Sequence, residues 1–119
     1  MAKDEKLLAA VTDAAKAIDD KFGQDIKILD IGELSVISDY FIIATATNPN
    51  QARAICHEAE AALRKHGIRM LHSEGMNTGG WTLMDFGPVI IHLFDKDQRE
   101  YYNLERLWSD AVIVPLSDL

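Results

Sequence analysis

The chain has 119 residues and a formal net charge of −7, because 19 Asp and Glu residues outnumber 12 Lys and Arg residues. With 48% hydrophobic and 26% charged residues, it is predicted to fold as one domain with one core. This acidity is poorly suited to binding phosphate backbones, where Lys and Arg supply most of the affinity. It suits either docking on a basic surface or solubility alone.

Several features predict a soluble, cytoplasmic protein without membrane association. No apolar run approaches the about 20 residues that span a bilayer. The N-terminal segment mixes acids and bases and lacks the apolar core of a signal peptide. The single cysteine, Cys56, cannot form an internal disulfide, which fits a reducing compartment.

The first elements follow from hydrophobic spacing. Apolar residues form one helical stripe from Asp4 to about Phe22, and Gly23 is a suitable helix stop. Ile26–Ile31 alternates as a half-buried strand does. Asp39–Thr47 is nearly continuous in apolar and β-branched residues, which predicts a central strand buried on both faces.

A second helix is predicted to begin after Asn48. Asn48 is a good N-cap, Pro49 fits the first helical position, and Gln51 can reach back as in a capping box. The helix ends at Gly67 and a short strand, Ile68–Ser73, follows. A strand, a helix and a strand joined by short links predict a right-handed parallel crossover.

The C-terminal third begins, after the glycine-containing turn 75–80, with a predicted hairpin. Its strands are Trp81–Asp85 and Val89–Phe94, joined through Phe86-Gly87-Pro88. Residues 95–111 indicate one or two short helical turns, and residues 112–119 a loose tail. The fold class is therefore α/β, a small single domain (residues 1–111) with a mixed sheet of about five strands flanked by helices, followed by a C-terminal tail (112–119).

Three motifs resemble catalytic signatures. Asp85-Phe86-Gly87 occurs in kinases, which also need a glycine-rich loop and a catalytic loop that are missing here, so a hairpin turn is predicted. Gly79-Gly80 leads into a strand and not into a helix N-terminus, which makes it a poor phosphate loop. Asp95-Lys96-Asp97 has the spacing of metal-binding carboxylates, but we predict that it forms a turn and the start of a helix. We predict no catalytic residue, no cofactor and no metal.

The histidines and the cysteine are assigned structural roles. His72 and His92 lie in separate strands and could be neighbours across the sheet. A zinc site would need further ligands, and Cys56 points about 100° away from His57 on their helix. Hydrogen-bonded histidines are therefore predicted, with Cys56 as a core residue.

The last third of the chain concentrates aromatic and acidic residues. Aromatic side chains with an acidic rim are typical of a partner-docking face, although a small domain also needs such rings in its core. Both alternatives stay open for each ring. The candidates for partner contact are Glu74, Trp81, Leu83, Asp85, Phe86, Tyr101, Glu105, Trp108 and Asp110.

Ordered sequence blocks carry a resemblance to a known family. The blocks are Ser38–Thr45, Glu74-Gly75, Trp81–Gly87, Val89–Phe94 and Arg99–Ala111. With these blocks at these separations, the chain resembles the ribosomal silencing factors, also called Iojap-like proteins, from about Leu7 to Ala111. Ala46 and Ser109 stand where the family often has glycine, and neither departure removes a charge or an aromatic ring.

The resemblance implies a nucleotidyltransferase-like fold without the catalytic carboxylates, and a translational repressor that is not an enzyme. Family members bind the large ribosomal subunit at a small basic ribosomal protein, number fourteen of that subunit. They thereby block joining of the small subunit and lower translation when nutrients are short. Binding would be to this protein and not to a specific nucleic-acid sequence. Our own hypothesis is that Trp81 is the aromatic anchor, because it opens a strand beside a glycine-containing turn, where a ring can stay exposed.

Two other functions remain as alternatives. One is a residual nucleotide-binding or nucleotidyltransferase-like enzyme, which would need convergent carboxylates. The other is a self-associating protein, in which the apolar edge of the hairpin pairs with a second copy to form a homodimer.

Overall fold

A computed structural model describes residues 5–75 and 80–116 of the chain. Gly79 and most of the turn before Trp81 therefore lie outside the described residues. The elements are α1 (Glu5–Asp20), β1 (Gln24–Asp30), β2 (Tyr40–Thr45), α2 (Pro49–Lys65), β3 (His72–Glu74), β4 (Trp81–Asp85), β5 (Val89–Phe94), α3 (Lys96–Tyr102), α4 (Leu104–Leu107) and β6 (Val112–Val114).

Within the described residues, six strands form one mixed sheet in the order β3-β4-β5-β2-β1-β6. Strands β2 and β5 are parallel, and every other neighbouring pair is antiparallel. The predicted α/β class with a mixed sheet is confirmed, with one strand more than expected. No helix in the described ranges is both long and apolar enough to cross a membrane.

The additional strand corrects the prediction of a loose tail after Ala111. Val112–Val114 pairs antiparallel with β1, so that Val114 lies opposite Ile28. Three consecutive β-branched residues fit a strand, and Pro115 comes after the last pair, where its missing N–H breaks no ladder bond. The tail thus contributes an edge strand.

The two strands of the predicted parallel crossover, β2 and β3, are not neighbours in the sheet. The strand predicted at Ile68–Ser73 starts at His72, and it runs parallel to β2 but lies at the far edge of the sheet, beyond β5 and β4. The reason lies in burial, because every residue of β2 and β5 is buried whereas β3 is short and mostly exposed. The two fully apolar strands therefore occupy the centre as neighbours.

The helix N-terminus predicted at Asn48 is confirmed. The side chain of Asn48 accepts a hydrogen bond from the backbone N–H of Gln51 at 2.8 Å, and Pro49 occupies the first turn. The Gln51 side chain reaches back and accepts from the Thr47 backbone N–H at 2.6 Å. This reciprocal pair fixes where the chain leaves β2 and turns into α2.

The two faces of the sheet are covered unequally. Helices α1 and α2 pack on one face over a large core that includes Ile28, Ile42 and Ile91. The opposite face carries a smaller core of Leu29, Ile31, Phe41, Ile43, Ile90 and Phe94, against which Trp81, Leu83, Leu104, Trp108 and Ala111 pack. We call this second side the aromatic face. Short helices and large side chains cover it, so part of it stays accessible.

Candidate functional site

Trp81 is the centre of the aromatic face. Its ring lies 5.1 Å from Phe94 and 4.5 Å from Tyr102, between ring centroids. Its indole N–H donates a hydrogen bond to Nδ1 of His92 at 3.2 Å. These contacts hold a half-buried ring in one orientation while part of it remains at the surface.

His92 lies beneath Trp81 and is only 5% exposed. Its ring meets Phe41 edge-on at 4.6 Å, and burial lowers its pKa from 6.5 to about 4. The ring is thus neutral at pH 7. Because Nδ1 accepts from Trp81, we assign the proton to Nε2, which has no hydrogen-bond partner among the described residues.

The two histidines considered as neighbours are separated. His72 lies in the edge strand β3, with Nε2 at 3.1 Å from a carboxylate oxygen of Glu74. His92 is in β5, and β4 runs between these two strands. Each histidine therefore has its own partner.

Strand β4 presents an alternating row of side chains to the aromatic face. Trp81, Leu83 and Asp85 are half-buried, while Thr82 and Met84 between them are buried. Glu74 of β3 lies directly opposite Leu83. Because paired residues of neighbouring strands project to the same side, this row combines apolar and acidic groups at one end of the sheet.

The short helices extend this surface. Tyr101 is 80% exposed and stands edge-on to Tyr102 at 5.0 Å, and Tyr102 in turn packs on Trp81. Trp108 covers another part of the face, 5.2 Å from Phe41. Of these rings, Tyr101 is the most accessible to a partner.

Not every candidate contact residue joins this surface. The prediction that Phe86 contacts a partner is corrected, because its side chain is 2% exposed and lies in the core beneath α1 and α2. Glu105 accepts a hydrogen bond from Nε of buried Arg99 at 2.9 Å, so its charge is already paired. Asp110 is exposed beyond α4.

Tyr102 belongs to the surface although it was not among the candidate contact residues. It is 43% exposed and connects Trp81 to Tyr101. The sequence indicates the role of Tyr102 only weakly, because adjacent residues on a helix project in different directions. The pattern of this short helix does not show which of the two tyrosines faces the sheet.

The motifs that resemble catalytic signatures have structural roles. Gly87 has φ of 88° in the hairpin turn, and its N–H donates to the Asp85 side chain at 2.8 Å. Asp95 caps α3 by accepting from the Gln98 backbone N–H at 2.8 Å. Within residues 5–75 and 80–116, no three or more His, Cys, Asp or Glu side chains cluster as a metal site. Cys56 is buried, which raises its pKa to about 11 and disfavours the thiolate.

The fold is similar to those of two solved structures. A crystal structure of a Chromobacterium violaceum protein matches with a TM-score of 0.81 and 31% identity, over 86% of this chain and 85% of that one. A Bacillus halodurans structure matches with a TM-score of 0.76 and 35% identity, over 94% and 99%.

Sequence comparison adds the family. A ribosomal silencing factor of Bacillus subtilis is 43% identical over 106 residues, 89% of this chain and 87% of that protein. The chloroplastic Iojap protein of Arabidopsis thaliana is 37% identical over 95% of this chain, which spans 47% of that longer protein. The family model described as "Ribosomal silencing factor during starvation" matches residues 4–119. The chain therefore belongs to the ribosomal silencing factor family.

Proposed function

We propose that this chain binds the large ribosomal subunit through its basic ribosomal protein number fourteen and thereby prevents the small subunit from joining. Translation would fall when nutrients are short, in agreement with the starvation role in the family description. The inhibition is steric, since a bound domain occupies space that the other subunit needs. About 800 Å² of surface on each partner suffices for a specific complex of this kind.

The observation that supports docking is the combination of aromatic and acidic groups along β4 and its neighbours. Trp81, Leu83 and Tyr101 offer apolar area, and Glu74 and Asp85 flank it with negative charge. Side chains of this kind form the centre and the rim of many interfaces. A basic ribosomal protein matches the acidic rim, and the net charge of −7 favours the same encounter.

The test is co-sedimentation of the protein with purified large subunits, followed by a subunit-joining assay. Tyr101→Ala should weaken binding about ten-fold or more, because an exposed ring is lost with little effect on folding. Trp81→Ala should cost on the order of 2–4 kcal/mol of binding, with the folded fraction measured in parallel. Phe22→Ala is the matched control, since Phe22 is a 79% exposed ring that follows α1.

The outcomes separate clearly. Weakened binding and restored subunit joining for Tyr101→Ala, with Phe22→Ala unchanged, support the proposal. A folded protein that does not co-sediment with large subunits, or that co-sediments and leaves joining intact, contradicts it.

We propose further that the chain is not an enzyme. Asp95, which an Asp-x-Asp metal site would need, instead caps α3. Isothermal titration calorimetry with ATP and magnesium tests the nucleotide-binding alternative, which predicts measurable heat of binding.

Self-association also remains a proposal, through a different surface from the hairpin edge. Strand β4 pairs with β3 and strand β5 pairs with β2, so the hairpin has no free edge. The edge strand β6 is the better candidate, with Val112 and Ile113 each more than 60% exposed. Sedimentation velocity over a range of concentrations would detect the dimer, and Ile113→Lys should weaken it.

A further inference from the structure

The parallel strands β2 and β5 end beside a cleft whose lining is polar and charged. After β2 the chain enters α2 on one face of the sheet, and after β5 it enters α3 on the other. Ligand crevices in α/β sheets form where adjacent parallel strands send their connections to opposite faces. The cleft has a volume of about 530 Å³, a size typical of small-molecule sites, and is lined by Gln24, Asp25, Thr45, Lys96, Arg99, Glu100, Asn103 and Glu105.

Arg99 is the chemically distinctive residue of the cleft. It is 8% exposed, and it donates from Nε to Glu105 and from Nη1 to the Thr45 hydroxyl, both at 2.9 Å. Its third nitrogen, Nη2, is buried and has no acceptor among the described residues. A buried charged donor without an acceptor is unfavourable. An oxygen atom of a ligand would supply the missing acceptor.

The charges that line the cleft select the kind of ligand. Lys96 and Arg99 are positive, and three carboxylates, those of Asp25, Glu100 and Glu105, lie around them. A ligand with several negative charges, such as a nucleotide, would be repelled by this excess of carboxylates. A molecule with one carboxylate and one ammonium group matches both signs.

Two residues of the lining adopt a backbone conformation that is costly for a side chain. Asp25 has φ of 54° and Asn103 has φ of 44°, both in the left-handed region. Asp and Asn tolerate this region better than most residues, and strained positions are frequent at ligand sites. Both residues lie in the wall of the cleft that Arg99 also lines.

We infer that this cleft binds a free α-amino acid. The ligand carboxylate accepts hydrogen bonds from Arg99 and Lys96, and its ammonium group donates to Asp25 and Glu100. The inference uses no residue of β4 or of the exposed tyrosines. Its test requires only the isolated protein, so it can fail while ribosome binding holds.

Binding is measured by calorimetry with the full chain and each proteinogenic L-amino acid in turn. At least one should bind saturably, and both its amide and its N-acetyl derivative should bind at least about ten-fold more weakly, since each lacks one of the two charges. Inorganic phosphate and ATP serve as anionic probes. Absence of saturable binding by every amino acid overturns the inference, as does binding of phosphate or ATP that is equal or tighter.

Variants locate the binding in the cleft. Asp25→Asn keeps a residue that tolerates the left-handed conformation, and Glu100→Gln changes an exposed side chain, so both should fold. Each should weaken binding of the amino acid about ten-fold. Glu58→Gln, an exposed position on α2, removes the same charge outside the cleft and should leave the affinity unchanged. Equal affinity in all three variants would place the ligand elsewhere and refute the site.

Discussion

The indole N–H of Trp81 donates to Nδ1 of the buried His92 at 3.2 Å, which joins the accessible aromatic surface to the core of the sheet. Only a neutral imidazole has an acceptor nitrogen to offer, so the contact exists in one protonation state. Phe41 and Phe94 close the space around the histidine ring. The orientation of Trp81 therefore depends on His92 remaining uncharged.

The first prediction is that acid destabilises the fold through His92. Its pKa is about 4 in the folded protein and near 6.5 when exposed, so the unfolded state binds the proton more readily between these values. The stabilisation present above pH 6.5 is lost as the pH falls to about 4. The free energy of unfolding should drop by up to about 3 kcal/mol over this window, measured by urea denaturation.

Two variants isolate this contribution. His92→Gln should flatten the pH dependence between pH 6.5 and 4, although its stability at pH 7 is lower because a buried ring is lost. His57→Gln, on the exposed side of α2, should leave the dependence as in the parent protein. An unchanged slope in His92→Gln would show that other groups cause the acid sensitivity.

Parts of the fold could be predicted from local signals. Asn48, Pro49 and Gln51 define a helix start through contacts within a few residues, and the Gly87 turn defines the hairpin. The pairing of β2 with β5 could not be predicted in this way, because it joins segments about 50 residues apart. The same applies to β6, whose three residues become a strand only through contact with β1.

The candidate site was predictable in composition but not in orientation. Side chains along β4 alternate between the two faces of the sheet, which places Thr82, Met84 and then Phe86 on the face that α1 and α2 cover. The burial of Phe86 therefore follows once that face is known. Sequence alone does not show which face the longer helices cover. The burial of Arg99 is equally hidden, because it depends on Thr45 and Glu105 from other elements.

The second prediction concerns two glycines with positive φ. A Cβ atom at Gly75 would lie 2.1 Å from the Trp81 carbonyl oxygen, whereas a Cβ atom at Gly67 would meet nothing within 4 Å. Both positions have similar φ, 80° and 77°. Gly67→Ala should cost about 1 kcal/mol of stability, from the backbone alone. Gly75→Ala should cost about 2–4 kcal/mol, because the start of β4 must move.

Chemical denaturation of the two variants in parallel measures the difference. Since the backbone term is shared, the excess in Gly75→Ala reports the close approach to Trp81. Equal losses of stability would mean that the chain around Gly75 shifts without cost.

The third prediction tests the acidic rim. Glu74→Gln combined with Asp85→Asn removes two charges beside Leu83, and the amide oxygen introduced at position 85 can still accept from the Gly87 N–H. The association rate with large subunits should fall roughly three- to ten-fold at low salt and become less salt-dependent. Stopped-flow or surface-immobilised large subunits provide the rate.

A charge-matched control separates local from global effects. Asp19→Asn combined with Asp20→Asn makes the same change in net charge at the exposed end of α1, on the other side of the sheet. Its association rate should stay within about two-fold of the parent. If both double variants slow association equally, overall charge and not the rim of the aromatic face governs the encounter.

The fourth prediction contrasts two apolar residues of the same hairpin. Phe86→Ala removes a ring that is 2% exposed and should cost about 3–5 kcal/mol of stability, with no loss of ribosome affinity per folded molecule. Leu83→Ala truncates a half-buried side chain on the aromatic face and should cost only about 1 kcal/mol of stability. It should instead weaken binding by about 1–2 kcal/mol. Denaturation together with co-sedimentation at matched folded concentration measures both quantities, and loss of affinity in folded Phe86→Ala alone would place the docking surface on the other side of the sheet.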